Sequence, residues 1–341
     1  MKAFTLLSAV LSAALVSAQA VHVGTIDNTT VLPEDLNGSN FTYPWPVQLY
    51  RFSSQRQDLE MAFMDVAPKC KPNGKTAVLL HGKNFCGPTW EQTARVLAAN
   101  GYRVILPDHV GFCKSSKPQA YQFSLQQFGF NINGLLQALG IKSATVIGHS
   151  LGGMTAARYA LMFPDQVDEL VMVDPIGLED WKAKGVPYID IDDTFKTESA
   201  STYASIRGYE QATYYVGQWK DSYDTWVNML VNIYKGSQGA AYAYDQALVV
   251  DMVLTQPVIY EFGLIRPRAL LITGDKDNTA IGAQWSPPDV RAKLGHYDVL
   301  GPEAAAQLKN GTGIHYPNLG HAPQLSDPEL FHKDLLGWLS K

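Results

Sequence analysis

The chain holds only three cysteines in 341 residues, Cys70, Cys86 and Cys113, so it is not a small fold stapled by disulfides. None of the three has a second Cys or His at ligand spacing, which speaks against a bound metal, and no cofactor is called for. Beyond the first twenty residues no stretch of about 20 apolar residues runs free of charge, Gly or Pro, so no membrane anchor is implied. Positive charge is not in excess: 27 Lys and Arg stand against 32 Asp and Glu, interspersed, for a net charge of −5. That balance excludes the basic stripe of a nucleic-acid binder or of a protein drawn to anionic lipid, and leaves a small molecule as the expected partner. Internal repeats and a charged or low-complexity linker are also missing, so one large core with an insertion is expected and not a string of domains.

What is present begins with Lys2, an apolar stretch from Ala3 to Val16 and the small-x-small pattern Ala18-Gln19-Ala20. These read as a signal peptide over residues 1–20, with the mature, secreted chain starting at Val21. Four N-x-[ST] sequons, at Asn28, Asn37, Asn40 and Asn310, are possible N-glycan acceptors, and three of them fall in a solvated N-terminal arm, 21–46.

Val47 to Phe52 and Leu59 to Val66 read as a leading strand pair, the second alternating toward a core. The rhythm then changes to short apolar runs expected of strands buried on both faces: Thr76 to Leu80, Arg103 to Leu106, Ser143 to Ile147, Glu169 to Val173, Ala269 to Thr273 and Gly313 to Tyr316. Helical patterns lie between most of them, at Thr89 to Asn100, Ser124 to Leu139, Gly152 to Met162, Pro302 to Lys309 and Pro328 to Leu339. Such alternation predicts an α/β fold, a mostly parallel sheet with flanking helices and ligands at the carboxyl ends of its strands. Between Asp174 and about Gly263 no strand is legible and aromatic residues accumulate, among them Trp181, Tyr209, Tyr214, Trp219 and Tyr234. This predicts a helical cap at 175–263 inserted into a core of 47–174 and 264–341, with some of its rings lining a pocket for an apolar or aromatic substrate.

Gly148-His149-Ser150-Leu151-Gly152 follows the apolar run Ala144 to Ile147 and opens a small-residue helix. Strand, sharp turn and helix in that order display a nucleophilic serine, so Ser150 is the expected chemical centre. A serine hydroxyl needs a base, and the base needs a group that fixes its tautomer. His321, in a Gly-flanked loop after the last strand, is the best-placed base. His81 and His149 stand beside loop-building glycines, and His109 follows a strand end. Gly274-Asp275-Lys276-Asp277 follows another strand, and Asp277 is the chosen acid, with Asp174 as the alternative and Asp275 as a turn former that accepts backbone N–H bonds. Oxyanion donors are expected from the amides of Leu151 and Lys83, the latter in His81-Gly82-Lys83. The Lys83 side chain is expected to be a surface charge or a ligand for an anionic substrate, ahead of a third reading as a carboxylate partner. Cys86 and Cys113 each lie just past a strand end and would meet at one sheet edge if those strands are neighbours, as a disulfide or as buried free thiols.

On His81-Gly82, Pro107-Asp108-His109-Val110-Gly111, Gly148 to Gly153, Asp277 and His321, the chain from about Val47 onward resembles an α/β-hydrolase-fold protein with a cap. The resemblance implies a secreted serine hydrolase of carboxylic esters or lactones working through an acyl-serine. It also allows amide, peptide or C–C bond hydrolysis and non-hydrolytic biosynthetic chemistry. Dehalogenases and epoxide hydrolases of the family place an aspartate where Ser150 stands, which speaks against those activities. A reading of a different class is a non-catalytic protein that binds a hydrophobic ligand in the capped pocket.

Overall fold

A computed structural model describes residues 23–32 and 41–341. The signal peptide expected over residues 1–20 and the sequons at Asn37 and Asn40 lie outside the described residues. Among the described residues nine strands form one sheet: β1 (Thr25–Asp27), β2 (Val47–Ser54), β3 (Gln57–Val66), β4 (Thr76–Leu80), β5 (Arg103–Pro107), β6 (Ala144–His149), β7 (Val167–Val173), β8 (Arg268–Gly274) and β9 (Gly311–Tyr316). Their order is β1-β2-β3-β5-β4-β6-β7-β8-β9, antiparallel from β1 to β5 and parallel from there on. β4 to β8 are consecutive apolar runs because both of their faces are covered. Along β6, Val146 faces a core layer with Phe128, Leu135 and Tyr159. Its neighbour Ile147 faces the opposite layer with Trp90, Leu97 and Phe331.

The helices that cover those faces are α1 (Glu91–Ala99), α2 (Leu125–Ala138) and α3 (Leu151–Met162) before the insertion, and α8 (Pro288–Arg291), α9 (Tyr297–Gln307), α10 (Pro323–Ser326) and α11 (Pro328–Leu339) after it. Between β7 and β8 the chain forms α4 (Ile191–Ser199), α5 (Tyr203–Thr213), α6 (Asp224–Lys235) and α7 (Gly239–Thr255), and no strand. Among the described residues no helix is long and apolar enough to cross a membrane.

Three local features differ from the sequence reading. Thr25–Asp27, expected in a solvated arm, instead pairs with Leu49 to Arg51 as an edge strand too short to show alternation. The β2–β3 hairpin closes tightly at Gln55-Arg56, with φ of 49° and 64°, although neither is the Gly or Asn that usually signals such a turn. α9 begins at Tyr297 and carries Pro302 inside it, where the proline reads as a start. Its first turn is anchored by the buried Tyr297, whose hydroxyl donates to the Pro175 carbonyl at 3.1 Å. β4 and β5 are neighbours, and Cys86 and Cys113 beyond them are joined in a disulfide. Cys70 is a free, exposed thiol.

Candidate active site

Ser150 sits between β6 and α3 with φ 57° and ψ −120°, a conformation that costs a side-chain-bearing residue about 1–3 kcal/mol. Packing on all sides holds it there. Its N–H donates to the Val173 carbonyl at 3.0 Å, and its carbonyl accepts the Gly153 N–H at 2.9 Å. Two glycines are obligatory: a Cβ on Gly148 would fall 2.0 Å from the Gly152 oxygen, and one on Gly152 would fall 2.1 Å from the Leu80 oxygen. The turn therefore lifts Ser150 above the end of the sheet while keeping the residue 5 % exposed.

The loop after β9 brings His321 to the same edge. Its Nδ1 lies 2.6 Å from Asp277 Oδ2, and both side chains are fully buried. Because a carboxylate only accepts, Nδ1 carries the proton and Nε2 keeps a lone pair. That Nε2 is buried and has no hydrogen-bond partner. The backbone around it is pinned from three directions. The His321 N–H donates to the Thr213 carbonyl at 3.3 Å, its carbonyl accepts from His149 Nε2 at 2.6 Å, and Tyr214 lies with its ring 4.9 Å from the imidazole. His149, next to Ser150 in sequence, thus ties the elbow to the loop that carries His321. Burial pushes His149, His109 and His81 below the ordinary histidine range, so these three are neutral wall-builders, with His81 Nε2 accepting the His109 N–H at 3.1 Å.

Asp277 is oriented in turn by the Thr279 N–H, which donates to its Oδ1 at 2.8 Å. Of the other two carboxylates, Asp174 directly follows β7 and its Oδ1 accepts the Gly274 N–H at 2.8 Å, while neither it nor Asp275 bonds His321. Asp275 does not perform the expected turn-forming role. Its Oδ1 is buried without a partner, and the turn is instead shaped by backbone bonds, Asp277 N–H to Gly274 at 3.0 Å and Lys276 N–H to Leu319 at 2.9 Å.

The loop after β4 closes on the elbow, where a Cβ on Gly82 would lie 2.9 Å from that of Ser150. Its next amide, Lys83 N–H, is not used in a backbone hydrogen bond, and Leu151 N–H is a free donor at the start of α3. The Lys83 side chain is neither a surface charge nor an open anion receptor. It pairs with Glu198 of α4 at 2.7 Å, both largely buried, and Glu198 also accepts the Tyr234 hydroxyl at 2.5 Å. A cavity of about 1130 Å³ lies among this loop, the insertion and the segment from Asn278 to Leu294, lined by Lys83, Glu198, Tyr209, Thr213, Leu230 and Tyr234 among others but not by Ser150 or His321. Thr213 and Glu198 were not identified from sequence as site residues, and Tyr214 and Tyr234 were named there only among the many rings of the insertion. They belong to the inserted helices, where no motif marks one aromatic or carboxylate from the next.

A profile of the alpha/beta hydrolase fold matches residues 76–281. The structure is similar to that of a probable hydrolytic enzyme from Pseudomonas aeruginosa PAO1, 50 % identical over 91 % of this chain and 99 % of that one, with a TM-score of 0.87. In sequence, 145 residues are 30 % identical to a 2-hydroxy-6-oxo-6-phenylhexa-2,4-dienoate hydrolase of Comamonas testosteroni, covering 42 % of this chain and 51 % of the relative. Another 149-residue match, to Lipase 1 of Psychrobacter immobilis, is 32 % identical and covers 41 % and 45 %. The chain spans 30 % of a Mycobacterium tuberculosis protein described as uncharacterized, at 36 % identity, so it spans between 30 % and 51 % of the length of these three curated relatives.

Proposed function

We propose that this chain, which belongs to the alpha/beta hydrolase fold family, is a serine hydrolase of carboxylic ester or lactone bonds that works through an acyl-serine. The observation that carries the reading is the buried His321–Asp277 pair, which leaves an unpartnered imidazole lone pair at the edge where Ser150 is displayed. In the proposed cycle Ser150 Oγ attacks the carbonyl carbon while its proton passes to His321 Nε2. The negative charge on the former carbonyl oxygen is held by the Leu151 and Lys83 amides. Collapse breaks the bond to the alcohol oxygen, which takes the proton from Nε2. Water then repeats the sequence on the acyl-serine and frees the acid.

The substrate is proposed to be a small molecule with an apolar or aromatic part, a reading supported by Tyr209, Leu230 and Tyr234 on the cavity wall. Secretion is proposed as well, supported by the Cys86–Cys113 disulfide and by the exposed sequon residues Asn28 and Asn310. The testing experiment is labelling with a fluorophosphonate probe, run beside a hydrolysis screen over p-nitrophenyl esters of graded chain length, lactones and aminoacyl amides. Label on Ser150, lost in Ser150→Ala together with hydrolysis, supports the reading. A folded wild-type protein that takes no label points to ligand binding without catalysis.

A further inference from the structure

Two carboxyl groups, not one, stand behind the imidazole, and the second has no assigned task. Ligand atoms of Asp174, Asp277 and His321 all lie within 4.8 Å of one another, and all three side chains are buried. Asp174 is held as deliberately as Ser150 is. Its φ is 38°, in the left-handed region that few non-glycine residues occupy, and its N–H extends the β7–β8 ladder by donating to Ile272 at 2.8 Å. One carboxyl oxygen, Oδ1, accepts the Gly274 N–H. The other, Oδ2, is buried without any donor. An orphaned acceptor in a dry interior is costly, and a proton on it turns it into a donor for an acceptor close by.

Resting on the hydrolase reading for its consequence, we infer that Asp174 is a neutral positioning residue whose carboxyl O–H donates to Asp277, so that one negative charge is spread over two carboxyl groups behind His321. The groups acting on Asp174 supply no compensating cation. They are the Asp277 side chain, with an oxygen within 4.8 Å, Asp275, His321 itself, and the hydroxyl-bearing Tyr297 and Tyr316. Burial first, and the Asp277 charge second, push the Asp174 carboxyl well above the ordinary carboxylate range, as expected where two acids share a site. The consequence for chemistry is direct. A second negative charge behind the ring would favour the imidazolium, which cannot take the Ser150 proton, whereas a neutral donor fixes the Asp277 carboxylate without adding charge.

The test compares Asp174→Asn, whose amide can both accept from Gly274 and donate to Asp277, with Asp174→Ala, which does neither. Two readouts are taken: the rate of Ser150 labelling by a fluorophosphonate as a function of pH, and the infrared difference spectrum of wild type minus Asp174→Asn at neutral pH. The inference expects a protonated-carboxyl stretching band in the difference spectrum. It also expects Asp174→Asn to label within about threefold of wild type with an unmoved acid limb, and Asp174→Ala to label at least about tenfold more slowly. Absence of the band overturns the inference. So does an acid limb of Asp174→Asn displaced to lower pH, the signature of a real charge removed, or labelling as slow as that of Asp174→Ala. Should the wild type take no label, the hydrolase reading falls by itself and the infrared band alone decides the state of Asp174.

Discussion

Asp277→Asn exposes the logic of the site most cleanly, because the surrounding donors dictate how the new amide must sit. In the native site the Thr279 N–H donates to Asp277 Oδ1 at 2.8 Å, and His321 Nδ1 meets Oδ2 at 2.6 Å. An asparagine there has one acceptor oxygen, and the Thr279 N–H, which can only donate, claims it. The NH2 group is then turned toward His321 and needs an acceptor, so the imidazole moves its proton from Nδ1 to Nε2. The nitrogen that should receive the Ser150 proton becomes a donor, and the charge that stabilises the imidazolium is lost together with the tautomer. Losing an orienting carboxylate in this way lowers turnover by about 10⁴, which corresponds to about 5.4 kcal/mol of transition-state stabilisation. The assay is the rate of fluorophosphonate labelling of Ser150 alongside hydrolysis of the best ester from the screen, with circular dichroism to show that the variant is folded. Labelling and hydrolysis within tenfold of wild type in a folded variant would refute the assignment of Asp277 and the tautomer argument with it.

Three further outcomes follow from other parts of the structure. Replacing both Cys86 and Cys113 by serine opens a loop of sequence separation 27 and should lower stability by about 3.5 kcal/mol, or about 5 °C in Tm for a chain of this size; calorimetry showing a shift under about 1 °C contradicts this. Gly152→Ala places a Cβ 2.1 Å from the Leu80 oxygen and 2.7 Å from that of His81. The opposing atoms are backbone, so no rotamer relieves the overlap, and a loss above about 4 kcal/mol is expected, read as failure to recover folded protein; a soluble variant melting with wild type counts against the elbow geometry. Burial pushes Glu210 of α5 up to about 8, against about 4.3 in an unfolded chain, so the folded state holds a proton that the unfolded state has released. Stability from this group is therefore full below the unfolded value and is lost as pH rises to about 8. Glu210→Gln should flatten the fall of Tm between about pH 5 and 8, and an unchanged slope sinks the assignment.

The sheet, its helices and the elbow were legible because each is a local pattern: apolar runs in β4 to β8, helical periodicity between them, and two glycines around a serine where any Cβ would strike backbone. The exceptions are places where local signals run against what packing imposes. Gln55-Arg56 closes a hairpin without a turn-forming residue because the β2–β3 ladder fixes both of its ends. Pro302 lies within a helix whose start is held by Tyr297. At the site, Ser150 and His321 could be singled out from their loops, whereas the choice of Asp277 over Asp275 rested on position in the loop, and Asp174 stayed open as the alternative.

By itself, then, the order of residues determined the strand and helix rhythm, the inserted segment and the choice of Ser150 and His321 as candidates, since these depend on neighbours a few positions apart. Tertiary structure decided which carboxylate faces the imidazole, that Lys83 is paired with Glu198, and that His149 is bonded to the His321 carbonyl across 172 positions. Such pairings are set by where distant segments are brought together at one edge of the sheet, and no short-range pattern of side chains encodes that meeting.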